Sequence, residues 1–516
     1  MMRCNMVSNE DKLKATCFMN APSPKEALEG ASNVTSASMR LINASTYDEW
    51  KDAAMAQDEK MGGAKWRKTD KSTLYDHEVI RRRLEEVTSI SASGDAHRLL
   101  FYLNEGIHGN MGGMGNPALY NRSRFGTKDL ITNYINALCD ALRQVADAPE
   151  TEVASAEKLE FFRRASHCFG RSALMLSGAG ALGPFHLGVI KALVEQDLLP
   201  DVISGASAGS MMAAFVGTHD DEELAKLFDP KVLVDSFDAF SESSRKASIG
   251  SRMSIENVRD IVAGLIPDMT FEEAFEETGR KINISVSPRE FHQRSRLLNA
   301  ITSPNVYIRE AVLASCAIPG IFPAVTLAAQ NTQGQRQPYV PSRKWVDGSM
   351  TDDMPVRRLT RLYGVNHFIS SQTNPVVLWA LRDHHQNDNL FTRSMAIYQS
   401  AAKELYKATY PMAMSVVGNV YPLNVITRMM YGLATQDYTA DINILPRRKF
   451  WNPTKLLSVL SEAETRYLIS EGEAATWPKI EMIRNCTMIS RTLDEILEPM
   501  EQQVSHGELH QQAPAF

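Results

Sequence analysis

Two glycine-flanked turns carry the residues in this sequence whose types and spacing could do chemistry. The first is Gly205-Ala206-Ser207-Ala208-Gly209, where a serine lies between small residues, as a nucleophile on a sharp strand-to-helix turn requires. Ser207 would lie at a helix amino terminus, where the dipole and unpaired amides favour developing negative charge. A plain tight turn would have the same pattern, but the apolar segments on both sides favour a nucleophile. We therefore predict that Ser207 is a nucleophile and that Gly205 and Gly209 allow its turn.

The second turn is Gly178-Ala179-Gly180-Ala181-Leu182-Gly183, which follows a short apolar run. Its glycine spacing also suits a dinucleotide-binding turn, which requires an acidic residue at the end of the next strand. Asp201 stands at the start of that strand, so the spacing argues against this alternative. Small residues at a helix start expose successive backbone N–H groups, each worth about 3 kcal/mol to a developing oxyanion. We expect the six residues to form an oxyanion loop.

An aspartate far along the chain offers the base that a serine nucleophile needs. Asp347-Gly348-Ser349 follows the short run Lys344-Trp345-Val346. Such a pair is commonly only a turn. A partly desolvated carboxylate, however, has a raised pKa and can accept the serine proton directly. Gly348 would let the backbone approach the nucleophile turn closely.

The elements around these residues predict a parallel α/β sheet. The pattern strand, loop, helix occurs twice, since the runs 173–176 and 201–204 precede the two turns and the helical patterns 185–196 and 210–216 follow them. Further strands are expected at 282–286 and 367–371. The acidic run 219–223 suits the first turn of a helix capped by Thr218 better than a metal site.

Helical patterns occupy both flanks of this α/β region. Spacings of apolar residues predict helices from 45, over 74–87 and over 128–145. We predict a mobile tail over 1–40, a helical amino-terminal domain over 41–165, a catalytic domain over 166–375 and a helical carboxyl-terminal region over 376–516.

The three motifs in this order resemble the patatin-like phospholipase family. The resemblance extends to a helical domain that precedes patatin in plant and yeast triacylglycerol lipases, and it covers roughly 41–447. Its further matching positions are Trp50, Trp66, 74–76, 108–110, Gly113, 115–117, 126–128, 315–322, 366–369, 371–375 and 438–442. Plant patatins have three consecutive glycines and a basic residue in the oxyanion loop, where this chain has Ala179 and Leu182. The storage-lipid lipases are more similar there.

The resemblance implies a three-layer α/β/α catalytic domain and a Ser–Asp dyad formed by Ser207 and Asp347, with Gly348 beside it. It implies hydrolysis of acyl esters of triacylglycerol or phospholipid through an acyl-enzyme, with no cofactor or metal. A transacylase would use the same dyad. A Ser-His-Asp triad with His367 is an alternative, although His367 opens an apolar strand where a structural role is expected. A non-catalytic lipid-binding scaffold would not need the intact dyad, and His186 suits helix packing.

Composition limits the remaining possibilities. The 516 residues carry a net charge of −6, 44% hydrophobic residues and a mean hydropathy of −0.25, which disfavours a nucleic-acid binder and a multi-span membrane protein. Six scattered cysteines suit a reducing compartment, and we expect neither a signal peptide nor a transmembrane helix. We therefore expect a cytoplasmic enzyme, peripherally associated with a membrane or lipid droplet. The apolar segment 410–431 is the predicted lipid-facing element.

Overall fold

A computed structural model of the protein describes residues 36–107, 109–228, 253–290, 293–374, 440–447 and 458–505. The predicted lipid-facing segment 410–431 lies outside the described residues, as does nearly all of the predicted tail over 1–40. The chain divides into two compact units. One unit includes Ala173–Leu359 and Phe368–Thr476, and the other consists of Asn33–Ser172, Thr360–His367 and Trp477–Phe516.

A seven-stranded sheet organises the first unit. Its strands are β1 (Arg171–Leu176), β2 (Val202–Gly205), β3 (Lys281–Pro288), β4 (Arg296–Leu298), β7 (Trp345–Asp347), β8 (Val365–Ser371) and β9 (Ile442–Ile444). A separate two-stranded sheet consists of β5 (Ala328–Gln330) and β6 (Arg336–Pro338). The uninterrupted apolar run in β1 is buried, as expected of a central strand covered on both faces.

The strand order is β4-β3-β2-β1-β8-β9. It brings to one edge of the sheet the ends of β1 and β2, from which the loop over residues 178–183 and the Ser207 turn start. β1 and β2, β2 and β3, and β8 and β9 pair in parallel. β4 and β7 pair antiparallel with β3, which places Asp347 opposite Val286. The predicted class, a mainly parallel α/β sheet with helical regions before and after it, is confirmed.

Helices connect these strands within the first unit. They are α8 (Gly183–Val194), α9 (Ala208–Gly217), α10 (Asp221–Leu227), α11 (Ile255–Leu265), α12 (Phe271–Thr278), α13 (Ile308–Ser315), α14 (Ser349–Asp352), α15 (Val356–Tyr363) and α16 (Glu462–Thr476). α15 continues into the second unit. The prediction that Thr218 caps α10 is wrong, because Asp220 forms the capping box with Glu223. The Thr218 hydroxyl instead donates to the Ala214 carbonyl, at the end of α9.

The second unit is helical. Its helices are α1 (Ser36–Asn43), α2 (Tyr47–Met61), α3 (Gly63–Lys68), α4 (His77–Ser93), α5 (Ala96–Gly106), α6 (Asp129–Asp147), α7 (Ser155–Phe169) and α17 (Ile480–Ser505). Short 3-10 turns lie at 111–113 and 117–121. α17 packs against α6 and α7, so this unit includes a helix from the carboxyl-terminal end of the described chain.

Candidate active site

Ser207 lies in a strained turn between β2 and α9. Its φ of 52° and ψ of −127° fall in a region that residues with a side chain rarely adopt. The close packing of the turn explains the glycine after it, because a Cβ at Gly209 would lie 2.3 Å from the Leu176 carbonyl oxygen. Gly205 forms the end of β2. The local sequence therefore places Ser207 at the carboxyl edge of the sheet.

A hydrogen-bond chain holds the backbone of this turn. The Ser207 N–H donates to Ser315 Oγ over 2.9 Å, and that hydroxyl donates to the Ser285 carbonyl over 2.7 Å. All three residues are buried. Ser315 ends α13 and Ser285 lies in β3, so the chain ties the strained turn to two other elements. The sequence patterns give no role for Ser315 in positioning the turn.

Asp347 is buried at the end of β7, where it meets the serine. The Ser349 N–H donates to Asp347 Oδ1 over 2.8 Å, and the Ser207 hydroxyl also hydrogen-bonds to this carboxyl group. Burial raises the pKa of Asp347 to about 6, and hydrogen bonds from Ser349 and Ser207 act in the opposite direction. A carboxylate with this pKa is ionised at neutral pH and remains basic enough to take a proton.

Gly348 makes the close approach of β7 to β3 possible. A Cβ at this position would lie 2.2 Å from the Ser285 carbonyl oxygen. Because that oxygen accepts the Ser315 hydroxyl, the same stretch of β3 supports both Ser207 and Asp347. The two halves of the predicted dyad therefore share one support.

The loop over residues 178–183 runs from β1 into α8, beside the nucleophile turn. Gly180 has a φ of 53°, and Gly180–Leu182 forms a 3-10 turn. A Cβ on Gly183 would lie 3.3 Å from the Ala208 Cβ, so the loop touches the residue after the serine. Leu182 is fully buried in an apolar cluster with Ala179 and Leu468.

Only part of this loop offers free donors. The Gly178 N–H donates to Asp353 Oδ1 over 2.7 Å, and the amides of Leu182 and Gly183 donate to carbonyls within the loop. No acceptor within the described part of the chain takes the N–H groups of Ala179, Gly180 and Ala181. These three amides are the ones that an oxyanion could use.

A second buried carboxyl group, on Asp353, supports the loop. It accepts the Gly178 N–H and lies 3.4 Å from Asn374 Nδ2. Burial raises the pKa of Asp353 to about 7, and the nearby charges of Asp347 and Asp352 raise this pKa further. Asp353 follows Asp347 by six residues. Its sequence context is that of an ordinary surface acid, so the sequence does not predict its burial or its contact with the loop.

The two histidines considered from the sequence make other contacts. His186 is fully buried, with Nδ1 2.6 Å from Ser371 Oγ and Nε2 2.9 Å from the Ser177 carbonyl oxygen. Burial lowers the pKa of His186 to about 4, so it is neutral. His367 Nδ1 lies 3.1 Å from Ser172 Oγ, near the start of β8.

Among the described residues, no group of three or more His, Cys, Asp and Glu side chains could hold a metal ion. No helix in those ranges combines the length and apolar character that crossing a membrane requires. Asp201, the acid considered for a dinucleotide site, precedes β2 and lies 4.0 Å from Lys281 Nζ.

Two family models match the chain in succession. Residues 29–167 match a domain of unknown function, DUF3336, and residues 174–360 match the patatin-like phospholipase model. The second match contains the loop, Ser207 and Asp347.

Curated relatives align with most of the chain. "Triacylglycerol lipase SDP1L" of Arabidopsis thaliana is 33% identical over 87% of this chain and 57% of its own length. "Triacylglycerol lipase 4" of Saccharomyces cerevisiae is 31% identical over 86% of this chain and 51% of its own length. The chain thus spans a little over half the length of these relatives. Among solved structures, human GIVD cytosolic phospholipase A2 aligns over 71% of this chain and 64% of that chain, with 11% identity and a TM-score of 0.31. The two consecutive matches show that this chain carries a DUF3336 domain followed by a patatin-like phospholipase domain, and the relatives align across both.

Proposed function

We propose that the protein is a serine acylhydrolase that cleaves acyl esters of glycerolipids through a Ser207–Asp347 dyad. The observation that carries the proposal is the hydrogen bond between the Ser207 hydroxyl and the buried Asp347 carboxyl group, at a strained strand-to-helix turn. The names of the relatives, triacylglycerol lipases, support the choice of glycerolipid esters over other esters.

In the first half-reaction, Ser207 Oγ attacks the ester carbonyl carbon and Asp347 takes the hydroxyl proton. The carbonyl oxygen becomes an alkoxide, which the N–H groups of residues 179–181 and of Ala208 stabilise at the amino terminus of α9. When the intermediate collapses, the carbon–oxygen bond to the alcohol breaks and Asp347 returns the proton to the leaving oxygen. An acyl ester on Ser207 remains.

In the second half-reaction, water replaces the alcohol. Asp347 takes a proton from the attacking water, and the same amides stabilise the second alkoxide. Collapse breaks the bond to Ser207 Oγ, which takes the proton back from Asp347. The fatty acid leaves and the free enzyme is restored.

A water-insoluble substrate also implies where the enzyme works. Long-chain acyl glycerides concentrate in membranes and droplets, so we propose that the protein docks peripherally on such a lipid surface. This part of the proposal rests on the chemistry of the substrate.

Labelling with a fluorophosphonate probe tests the proposed class directly. We expect mass spectrometry to find the phosphonyl adduct on Ser207, and the Ser207→Ala variant to be unlabelled and unable to hydrolyse p-nitrophenyl butyrate. The variant should unfold at the temperature of the parent protein or above it, because it removes one oxygen from a strained turn. Hydrolysis retained by the pure, folded variant, or an adduct on another residue, would contradict the proposal.

A further inference from the structure

Five cationic side chains surround β7 and have no part in the proposed chemistry. They are Arg289, Arg294, Arg296, Arg343 and Lys344, here named the β7 basic patch. The Arg289 N–H donates to the Lys344 carbonyl over 2.9 Å, which joins the end of β3 to the start of β7. The guanidinium carbons of Arg296 and Arg343 each lie 5.9 Å from the centre of the Trp345 ring. These contacts bring separate parts of the sequence together.

The patch has a net positive charge. Four of its five residues are exposed and Arg343 is half-buried. No ion pair among the described residues involves any of the five, whereas the neighbouring Arg358 is paired with Asp352. Glu290, exposed in the same turn as Arg289, offsets one positive charge. Because salt screens surface charges beyond about 10 Å, this local excess determines contacts here even though the whole chain carries a net charge of −6.

Arg296, one member of the patch, lies on the face of the sheet that carries Asp347. Val286 pairs with Asp347 on one side and with Arg296 on the other. Residues paired across neighbouring strands project to the same face, and two strand spacings separate these two backbones by roughly 10 Å. Arg296 therefore borders the proposed active site.

An apolar turn borders the same strand. Ile318, Ile321 and Phe322 are only partly buried, in the turn that follows α13. At the start of this turn, the Ala317 carbonyl accepts the Asp347 N–H. At its end, Val325 forms an antiparallel bridge with Trp345, so both ends of the turn contact β7. Partly exposed apolar side chains, next to arginines that form no ion pair with the described residues, suit the boundary between lipid headgroups and acyl chains. A nucleic acid would use only the cations.

We propose that the β7 basic patch docks the protein on the anionic phospholipid surface that carries its substrate. Guanidinium groups bind phosphate oxygens in pairs, and the adjacent apolar turn would enter the headgroup layer. This inference rests on the proposed function only in the choice of a lipid partner. The inference adds an electrostatic attraction to the docking, which the net charge of −6 for the whole chain would not predict.

Vesicle flotation tests the inference independently of catalysis. Binding is measured in the Ser207→Ala background to vesicles of phosphatidylcholine alone and of an equimolar mixture of phosphatidylcholine and phosphatidylserine, at low and high salt. The patch variant carries Arg289→Gln, Arg294→Gln and Lys344→Gln, which are exposed and leave the contacts with Trp345 in place. Partitioning onto the mixed vesicles should fall roughly fivefold for each cation removed, thus on the order of 100-fold for three.

A matched control changes the net charge equally at exposed cations elsewhere in the same unit. It carries Lys226→Gln, Arg259→Gln and Arg466→Gln, and we expect it to bind the mixed vesicles like the parent. Equal loss in both variants, or no loss in the patch variant, would overturn the inference. Binding of the parent to single-stranded RNA but not to the mixed vesicles would also overturn it. Failure of the proposed function itself would appear in the p-nitrophenyl butyrate assay of the parent, whatever the flotation result.

Discussion

The helical unit and the candidate site hold their buried charged groups in different ways. In the helical unit, buried Asp58 accepts the N–H groups of Arg124 and Phe125 over 2.7 and 3.0 Å and pairs with Arg67 at 2.9 Å. Lys128, fully buried, donates to the Trp66 and Thr69 carbonyls over 2.6 Å each and lies 3.8 Å from the centre of the Trp66 ring. Both charges have partners that offset part of their loss of water.

In the first unit, buried Glu471 and Glu473 pair with Arg447 and Lys191, but the two buried carboxyl groups at the candidate site are held differently. Asp347 receives hydrogen bonds from the Ser349 amide and the Ser207 hydroxyl, and Asp353 receives one from the Gly178 amide. Burial raises the pKa of Asp347 to about 6 and that of Asp353 to about 7. A carboxylate held by an ion pair is a weak base, whereas a buried carboxylate with a raised pKa is basic enough to take a proton from a substrate and return it. The comparison predicts that the two kinds of carboxylate respond oppositely to mutation.

The largest effect is expected at the dyad. Asp347→Asn should lower turnover of a soluble ester by at least about 10⁴-fold, because the amide cannot take the Ser207 proton. The double variant with Ser207→Ala should be no worse than either single variant, since the two residues act as one unit. Steady-state assays of the purified variants measure this. Losses that multiply in the double variant would mean that the residues act separately.

The pH dependence should follow the ionisation of Asp347. With a pKa of about 6, this carboxyl group gains a proton as the pH falls, so kcat/KM should drop about tenfold per pH unit below pH 6. Asp353 and Cys316 are the other titratable groups that interact electrostatically with Asp347, and both ionise at higher pH. A pH profile on an uncharged ester measures the effect. If kcat/KM instead falls with a midpoint near pH 4, burial does not raise the pKa of Asp347.

The next effect concerns the support of the oxyanion loop. Asp353→Ala removes the acceptor of the Gly178 N–H, and we expect kcat to fall roughly 10- to 100-fold with little change in KM, less than for loss of a direct oxyanion donor. Asp353→Asn keeps an acceptor oxygen and should restore most of the activity. Equal losses in both variants would mean that the charge of Asp353, and not its hydrogen bond, is what matters.

Stability separates the two kinds of buried carboxylate most directly. Asp58→Ala should destabilise the protein by about 3 kcal/mol, because it leaves Arg67 and two amides without their acceptor. Asp347→Asn should instead stabilise the protein by roughly 1–3 kcal/mol above pH 7. A carboxyl group whose folded pKa is raised costs stability as the pH rises through the interval between about 4 and 6, and the amide does not ionise. Thermal unfolding at pH 5 and pH 8 measures both changes. The comparison fails if the two variants shift the unfolding temperature in the same direction.

The sequence predicts the local parts of the proposed site better than the distant ones. The turn around Ser207 and the loop over residues 178–183 are continuous patterns, in which a strand, small residues and a helix follow one another. Asp347 required a family resemblance, since an Asp-Gly pair alone is an ordinary turn. Hydrogen bonds between distant segments leave no local sequence pattern. Asp353 lies 175 residues from Gly178, and Ser315 lies 108 residues from Ser207.

The sequence patterns also did not predict the local charge or the packing that arise where distant elements meet. A net charge of −6 averages over the chain, so the β7 basic patch emerges only when β3, β4 and β7 pair. The packing of α17 on α6 and α7 is also a tertiary contact, which helical periodicity does not specify. The boundaries predicted near residues 165 and 375 therefore remain predictions.

The smallest effect is expected at His367, where the sequence left a triad open. A triad histidine must reach both the serine and the aspartate, whereas Asp347 already receives the Ser207 hydroxyl directly and His367 Nδ1 faces Ser172 Oγ. His367→Ala should therefore cost about 1 kcal/mol of stability, the net value of one hydrogen bond, and change kcat only a few-fold. Ser172→Ala is the matched control, because it removes the same hydrogen bond without touching the imidazole. A cooperatively folded His367→Ala protein without activity, beside an active Ser172→Ala protein, would replace the dyad with a triad.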